Sequence, residues 1–215
     1  MSLPMPRLFP AHILPGMAAG LILSGAALAA AVAPQALAEA GAGVSRDPAT
    51  APAGVYKLDP RHSSVVARVQ HMGFSHFAIR FNAESGTLDW DPADPTRSKL
   101  DVTVDPKTIH TGVDSLDKEV LGGLFTDEPP VRFVSTHIER TGPTTGRITG
   151  NLTYHGVTKP VTLETVFDGA GKSFGHVRMA FSAKGAFSQR AFGADKFTQF
   201  VSDEATLEIE TEFSK

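Results

Sequence analysis

The sequence predicts an all-β domain of about eight antiparallel strands with one short helix. Three observations carry this. Apolar and polar residues alternate with period two in run after run, turn-forming residues separate the runs, and helical spacing recurs in one segment. Alternation arises because successive strand side chains point to opposite faces of a sheet that is buried on one side. Eight such strands close as a barrel or pack as a sandwich. A barrel removes exposed edges, and at eight strands its interior holds packed side chains or one small ligand.

Ahead of the strands, Arg7 and His12 precede an uncharged apolar stretch that ends on Ala36-Leu37-Ala38. A basic start, an apolar run and a small-x-small site read as a secretory signal over 1–38, cleaved before Glu39. The rival is a retained membrane anchor, because Met17 to Ala33 approaches spanning length. Cleavage is the better fit to a run so rich in Ala and Gly, and it leaves no stable membrane insertion. Residues 39–54 are rich in Ala, Gly, Pro and Thr without periodicity and read as a flexible leader, so the folded domain spans 55–215.

The strands follow in order. Val65, Ala67, Val69 and His71 share one parity; Phe77, Ile79, Phe81 and Ala83 share another run's inner face. Leu100, Val102 and Val104 alternate with Asp101 and Thr103, and Ile148, Leu152 and Tyr154 with Thr149, Asn151 and Thr153. Val177, Met179 and Phe181 form the next row, and Leu207, Ile209, Thr211 and Phe213 alternate with Glu208, Glu210 and Glu212. Turns are expected at Asp89–Pro95, Thr141–Gly146, His155-Gly156 and, as a loop, Asp168–Lys172. Asp114–Leu124 is the helix, with Leu116, Val120 and Leu121 at helical spacing. Small inward residues (Ala67, Ala83, Gly150, Ala183) leave room inside, or larger neighbours fill it; alternation alone does not choose.

Composition excludes several classes. Without cysteine there are no disulfides, no thiolate catalysis and no cysteine-bound zinc. The full chain carries a net charge of −3 without basic runs, a poor match to nucleic acid or anionic membrane surfaces. No nucleophile elbow, phosphate loop or zinc-protease motif is present, so no catalytic residue, metal ligand or cofactor is assigned. Asp114, Asp117 and Glu119 read as a solvated helix face. His71 ends the inward row of its strand and could hold a ligand's polar end or bond a backbone carbonyl. Arg190, between Phe187 and Phe192, could neutralise an anionic head group or pair with an acidic neighbour.

Four segments resemble the YceI-like, polyisoprenoid-binding proteins of bacteria. These are Tyr56-Lys57-Leu58-Asp59 with His62-Ser63-Ser64-Val65, then His71-Met72-Gly73-Phe74-Ser75, then Gly150 to Val161, and Arg190-Ala191-Phe192-Gly193. The resemblance implies a lipocalin-like barrel with a helix near one end, export to the periplasm, and an elongated pocket for a polyprenyl-diphosphate or a quinone. It departs in the helix. Family members often carry Arg-Asp and His-Leu there, whereas this chain reads Leu116-Asp117-Lys118-Glu119-Val120, so a neutral lipid competes with a diphosphate.

The expected function is therefore periplasmic binding or carriage of a long-chain isoprenoid or related lipid, without catalysis. The expected ligand-binding residues are Val69, His71, Phe77, Phe81, Phe133, Tyr154, Phe181 and Arg190. The alternative is a stress-linked periplasmic interaction module with a packed barrel and no lipid, and a homodimer stays open in either case.

Overall fold

The computed structural model describes residues 43–81 and 83–215. The segment read as a signal, 1–38, and the first residues of the expected leader lie outside the described residues. Among the described residues there are ten strand segments: β1 (Gly54–Leu58), β2 (Ser64–His71), β3 (Ser75–Phe81), β4 (Ala83–Trp90), β5 (Lys99–Val104), β6 (Val131–Arg140), β7 (Thr145–Tyr154), β8 (Val157–Ser173), β9 (His176–Ser188) and β10 (Glu204–Ser214). All pair antiparallel, in the order β1-β4-β5-β6-β7-β8-β9-β10, and a β1–β10 pairing closes the ring. β2 lies along the N-terminal half of β10 and pairs with β3. The first two barrel strands are thus each broken in two, and the barrel has the expected eight.

The first break is held by side chains. Between β1 and β2 the Asp59 carboxylate accepts from Arg61 N (3.0 Å) and pairs with His62 Nδ1 (2.9 Å). Arg178 donates one Nη1 to Asp59 (2.8 Å) and to Glu212 (3.0 Å), tying β1's exit to β9 and β10. β10 shows why the alternation reads so clearly. Ala205 and Phe213 are buried, Leu207 and Ile209 half-buried, while Glu204, Glu208 and Glu210 face water.

The helix forms where its spacing predicts. α1 (Asp114–Val120) runs on into one π-helical turn, Leu121–Phe125. Leu116, Val120, Leu121 and Phe125 pack into a cluster with Leu152, Tyr154 and Phe192, so the helix seals one barrel end. Gly123 is required there because the Phe197 ring lies where a Cβ would project. Asp117 is not a solvated carboxylate. It accepts from Thr111 N and Thr111 Oγ1 (2.6 Å each) and pairs with His110 Nδ1 (3.1 Å), anchoring the chain before the helix.

Two further expectations need correction. Asp168–Lys172 is not a loop: β8 continues through it with a bulge near Phe167/Gly169, and the turn falls at Phe174-Gly175, where both residues take positive φ. The leader is also not free from Gly43 onward. Ser45 and Ala170 exchange backbone hydrogen bonds of 2.8 Å, Pro48–Thr50 forms a 3₁₀ turn, and Ala51 is 1% exposed. The physical reason is shared: side chains at Gly169 and Gly171 would collide with residues 43–45, so their glycines let this segment lie across β8.

Candidate functional site

The two barrel ends are built differently. At the helix end, Phe125 meets Phe81 edge-on (centroids 5.7 Å apart) and lies 6.2 Å from Tyr154. Below Tyr154 the buried Glu128 carboxylate accepts from His155 N (2.6 Å) and pairs with its Nδ1 (2.9 Å). Burial, with the Glu128 charge adding, pushes the Tyr154 hydroxyl well above its usual value, so it stays protonated. At the other end Trp90 stacks on Phe167 (6.2 Å, 7° between planes) and meets Phe181 at 6.0 Å.

Between these ends runs a cavity of about 270 Å³, lined by the inward rows of the barrel strands. Its walls are almost wholly apolar: Val65, Ala67 and Val69 from β2, Leu152 from β7, Leu163 from β8, Leu207 from β10. Every exposed residue in its lining (Glu139, Arg140, Pro143 and Thr145) belongs to the β6–β7 turn and its flanks, so the mouth lies there. Glu139 and Arg140 are also the lining's two charged side chains, and they are of opposite sign.

Of the expected ligand residues, Val69, Phe81, Phe133, Tyr154 and Phe181 line this cavity. Phe133 fills the space that Gly150 opens, since a methyl at Gly150 would overlap its ring. The other three are placed elsewhere. His71 is exposed and bridges backbone to Val201; Phe77, paired with Val69, is outside the lining. Both continue the inward rows, but beyond the cavity's sealed end. Arg190 is exposed, its N–H donates to Asp203 Oδ1 (2.8 Å) and its Nε to Thr198 Oγ1 (3.2 Å). It fastens the 190–203 loop, so neither His71 nor Arg190 stands at a mouth. Sequence reasoning missed Trp90 and Arg140, whose place at the open end depends on how the ring closes. For Trp90 one signal was available: it is the chain's one tryptophan and stands in line with Leu88.

Residues 56–213 match the YceI-like domain family. The chain belongs to that family. It is similar to a UPF0312 protein of Pseudomonas fluorescens (strain SBW25), 36% identical over 144 residues, 64% of this chain and 75% of that protein. A UPF0312 protein of Pseudomonas putida (strain F1) is 36% identical over 147 residues, 66% of this chain and 77% of that one. Among solved structures, a Campylobacter jejuni YCEI protein superposes with a TM-score of 0.58 at 27% identity, over 68% of this chain and 89% of that one. A polyisoprenoid binding domain from Saccharophagus degradans superposes with a TM-score of 0.55 at 12% identity, over 74% and 97%, which shows the shared fold.

Proposed function

We propose that this YceI-like barrel binds a long-chain isoprenoid or related apolar lipid, inserted through the β6–β7 mouth with its tail toward Phe125 and Tyr154. The observation that carries this is the apolar cavity, closed at the helix end and open at the other. A packed barrel built for surface interaction has no use for such a space. Leaving water for an apolar wall is worth about 25 cal/mol per Å² of tail buried, ample for a chain of several isoprene units. The polyisoprenoid binding named for the S. degradans domain agrees with this reading. Val69, Phe81, Phe133, Tyr154 and Phe181 are the tail contacts. Encapsulation needs no chemistry, so the role is binding or carriage rather than catalysis. Export to the periplasm after cleavage at Ala38 would place the barrel beside its lipid source, and an N-terminus at Glu39 in the mature protein tests that step.

Mass spectrometry of an organic extract of the protein, purified without detergent, tests the binding. A stoichiometric long-chain lipid is expected in the wild type and none in Phe81→Asp that retains a cooperative melting transition. Lipid retained in that variant, or a wild type that neither carries nor takes up any isoprenoid, sinks the reading.

A further inference from the structure

The β8–β9 turn holds the wrong residue for its shape. Ser173 pairs with His176, so the loop is Phe174-Gly175 alone, with φ of 50° and 83°. Two-residue turns with both φ positive favour Asn, Asp or Gly at the first position, and a bulky ring there is strained. His155-Gly156 has the same geometry, φ 49° and 69°, but there the side chain gains its pair with Glu128. Phe174 gains nothing comparable inside the molecule: it is 94% exposed. A residue that suits neither the backbone nor water points to something outside the chain.

The surroundings of the tip identify it. β8 passes the β6–β7 turn where Val166 pairs with Thr145 and runs on to Ser173, so the tip stands out from the rim of the mouth. Lys172 and His176 flank the ring, both exposed, and from Gly169 to Ala194 the chain has no Asp or Glu. Phe174 also borders an open depression with Val44, itself 57% exposed, and with His62, Asp168, Lys172, Arg178 and Glu212. Asp168 accepts there from Ser182 Oγ (2.6 Å). His62, Arg178 and Glu212 belong to the Asp59 network, which leaves Lys172 as the unpaired charge of this depression among the described residues.

We infer that the β8–β9 tip docks the open end on an anionic phospholipid surface, with Phe174 in the head-group layer and Lys172 on lipid phosphates. A stable protein interface buries about 800 Å² on each partner, far more than one ring and a valine offer, whereas a bilayer accepts a lone aromatic tip. The net charge of −3 supplies no long-range pull, so the contact is local and reversible. Docking stands on the hairpin; its use, exchange of the cavity's lipid with the bilayer, rests on the lipid-binding reading above.

Flotation of the protein with phosphatidylcholine vesicles, with and without phosphatidylglycerol and free of isoprenoid, tests the docking. Phe174→Asn should bind about tenfold more weakly than the wild type while melting no lower, because asparagine tolerates the turn. Lys172→Ala should lose about fivefold, and only on vesicles with phosphatidylglycerol. Phe74→Ser, which removes a ring 86% exposed on the β2–β3 turn at the sealed end, should bind as the wild type does. No difference between wild type and Phe174→Asn, or a loss confined to Phe74→Ser, overturns the docking site. A wild type that carries lipid but ignores vesicles overturns docking alone; one that binds vesicles and takes up no isoprenoid overturns the cavity reading alone. Should Phe174→Asn melt lower, Phe174→Trp decides. Bromine-labelled acyl chains should quench its emission and spare the wild type, whose one tryptophan is buried; equal quenching in both, or none, overturns the inference.

Discussion

The two ends of the barrel use aromatic residues for opposite purposes. At the helix end Phe125, Tyr154, Phe187 and Phe192 meet one another and leave no opening. At the open end Trp90, Phe167, Phe181 and Phe213 pack ring against ring along the wall, and the β6–β7 turn is tied to it where the Phe167 N–H donates to the Thr144 carbonyl (2.7 Å). The difference comes from what crosses each end. A helix with a hydrophobic stripe plugs the first, whereas short polar turns and the 43–53 segment skirt the second. An apolar plug excludes water from the helix end of the cavity, and a polar rim leaves the other end open.

That contrast is open to breaking by mutation. The largest effect is expected from Phe125→Ala, which empties the plug and should cost about 3–5 kcal/mol in denaturant unfolding. Arg140→Ala at the rim should stay within about 0.5 kcal/mol. Equal losses would mean that the two ends are not mechanically distinct. Gly150→Ala sharpens the middle of the comparison. Its methyl must displace both the Phe133 ring and the Val134 carbonyl, costing about 1–3 kcal/mol and pushing the ring into the cavity. Less lipid should then co-purify per protein; unchanged lipid and stability would show that the ring has somewhere else to go.

A smaller effect concerns acid. Hydrogen bonds from His62 and then Arg178 hold the Asp59 carboxyl well below the usual carboxylate range. Because the folded value is depressed, its stabilisation is present above the unfolded carboxyl's titration near about pH 4. It is lost as pH falls through the folded value. Asp59→Asn should cost about 1 kcal/mol at neutral pH, since its partners are partly solvated, and should flatten the fall in stability below about pH 5. A wild type and variant with parallel pH profiles would show that the Asp59 pairs contribute nothing.

Much of the fold was legible. The Leu207-to-Phe213 row, the Val177-to-Phe181 row and the His155-Gly156 turn each declared themselves through period or turn chemistry, and the helix through its 3.6 spacing. Phe174-Gly175 was hidden because Asp168-Gly-Ala-Gly-Lys172 carries the stronger loop composition. Those glycines answer instead to the approach of residues 43–45. For the site, parity correctly faced Val69, Phe81, Phe133, Tyr154 and Phe181 inward, but parity does not say where a cavity stops. His71 and Phe77 extend the right rows past its end, and Arg190 belongs to a loop with its own hydrogen bonds.

The amino-acid pattern by itself determined the class of fold and the inner face of most strands, because both follow from local periodicity and a single buried side. Only the tertiary structure decided which barrel end is sealed, that Trp90 borders the cavity, and that the rim carries Arg140 beside Glu139. Those depend on strand register and ring closure, which bring together residues dozens of positions apart, and period-two alternation is the same whichever way the ring is capped.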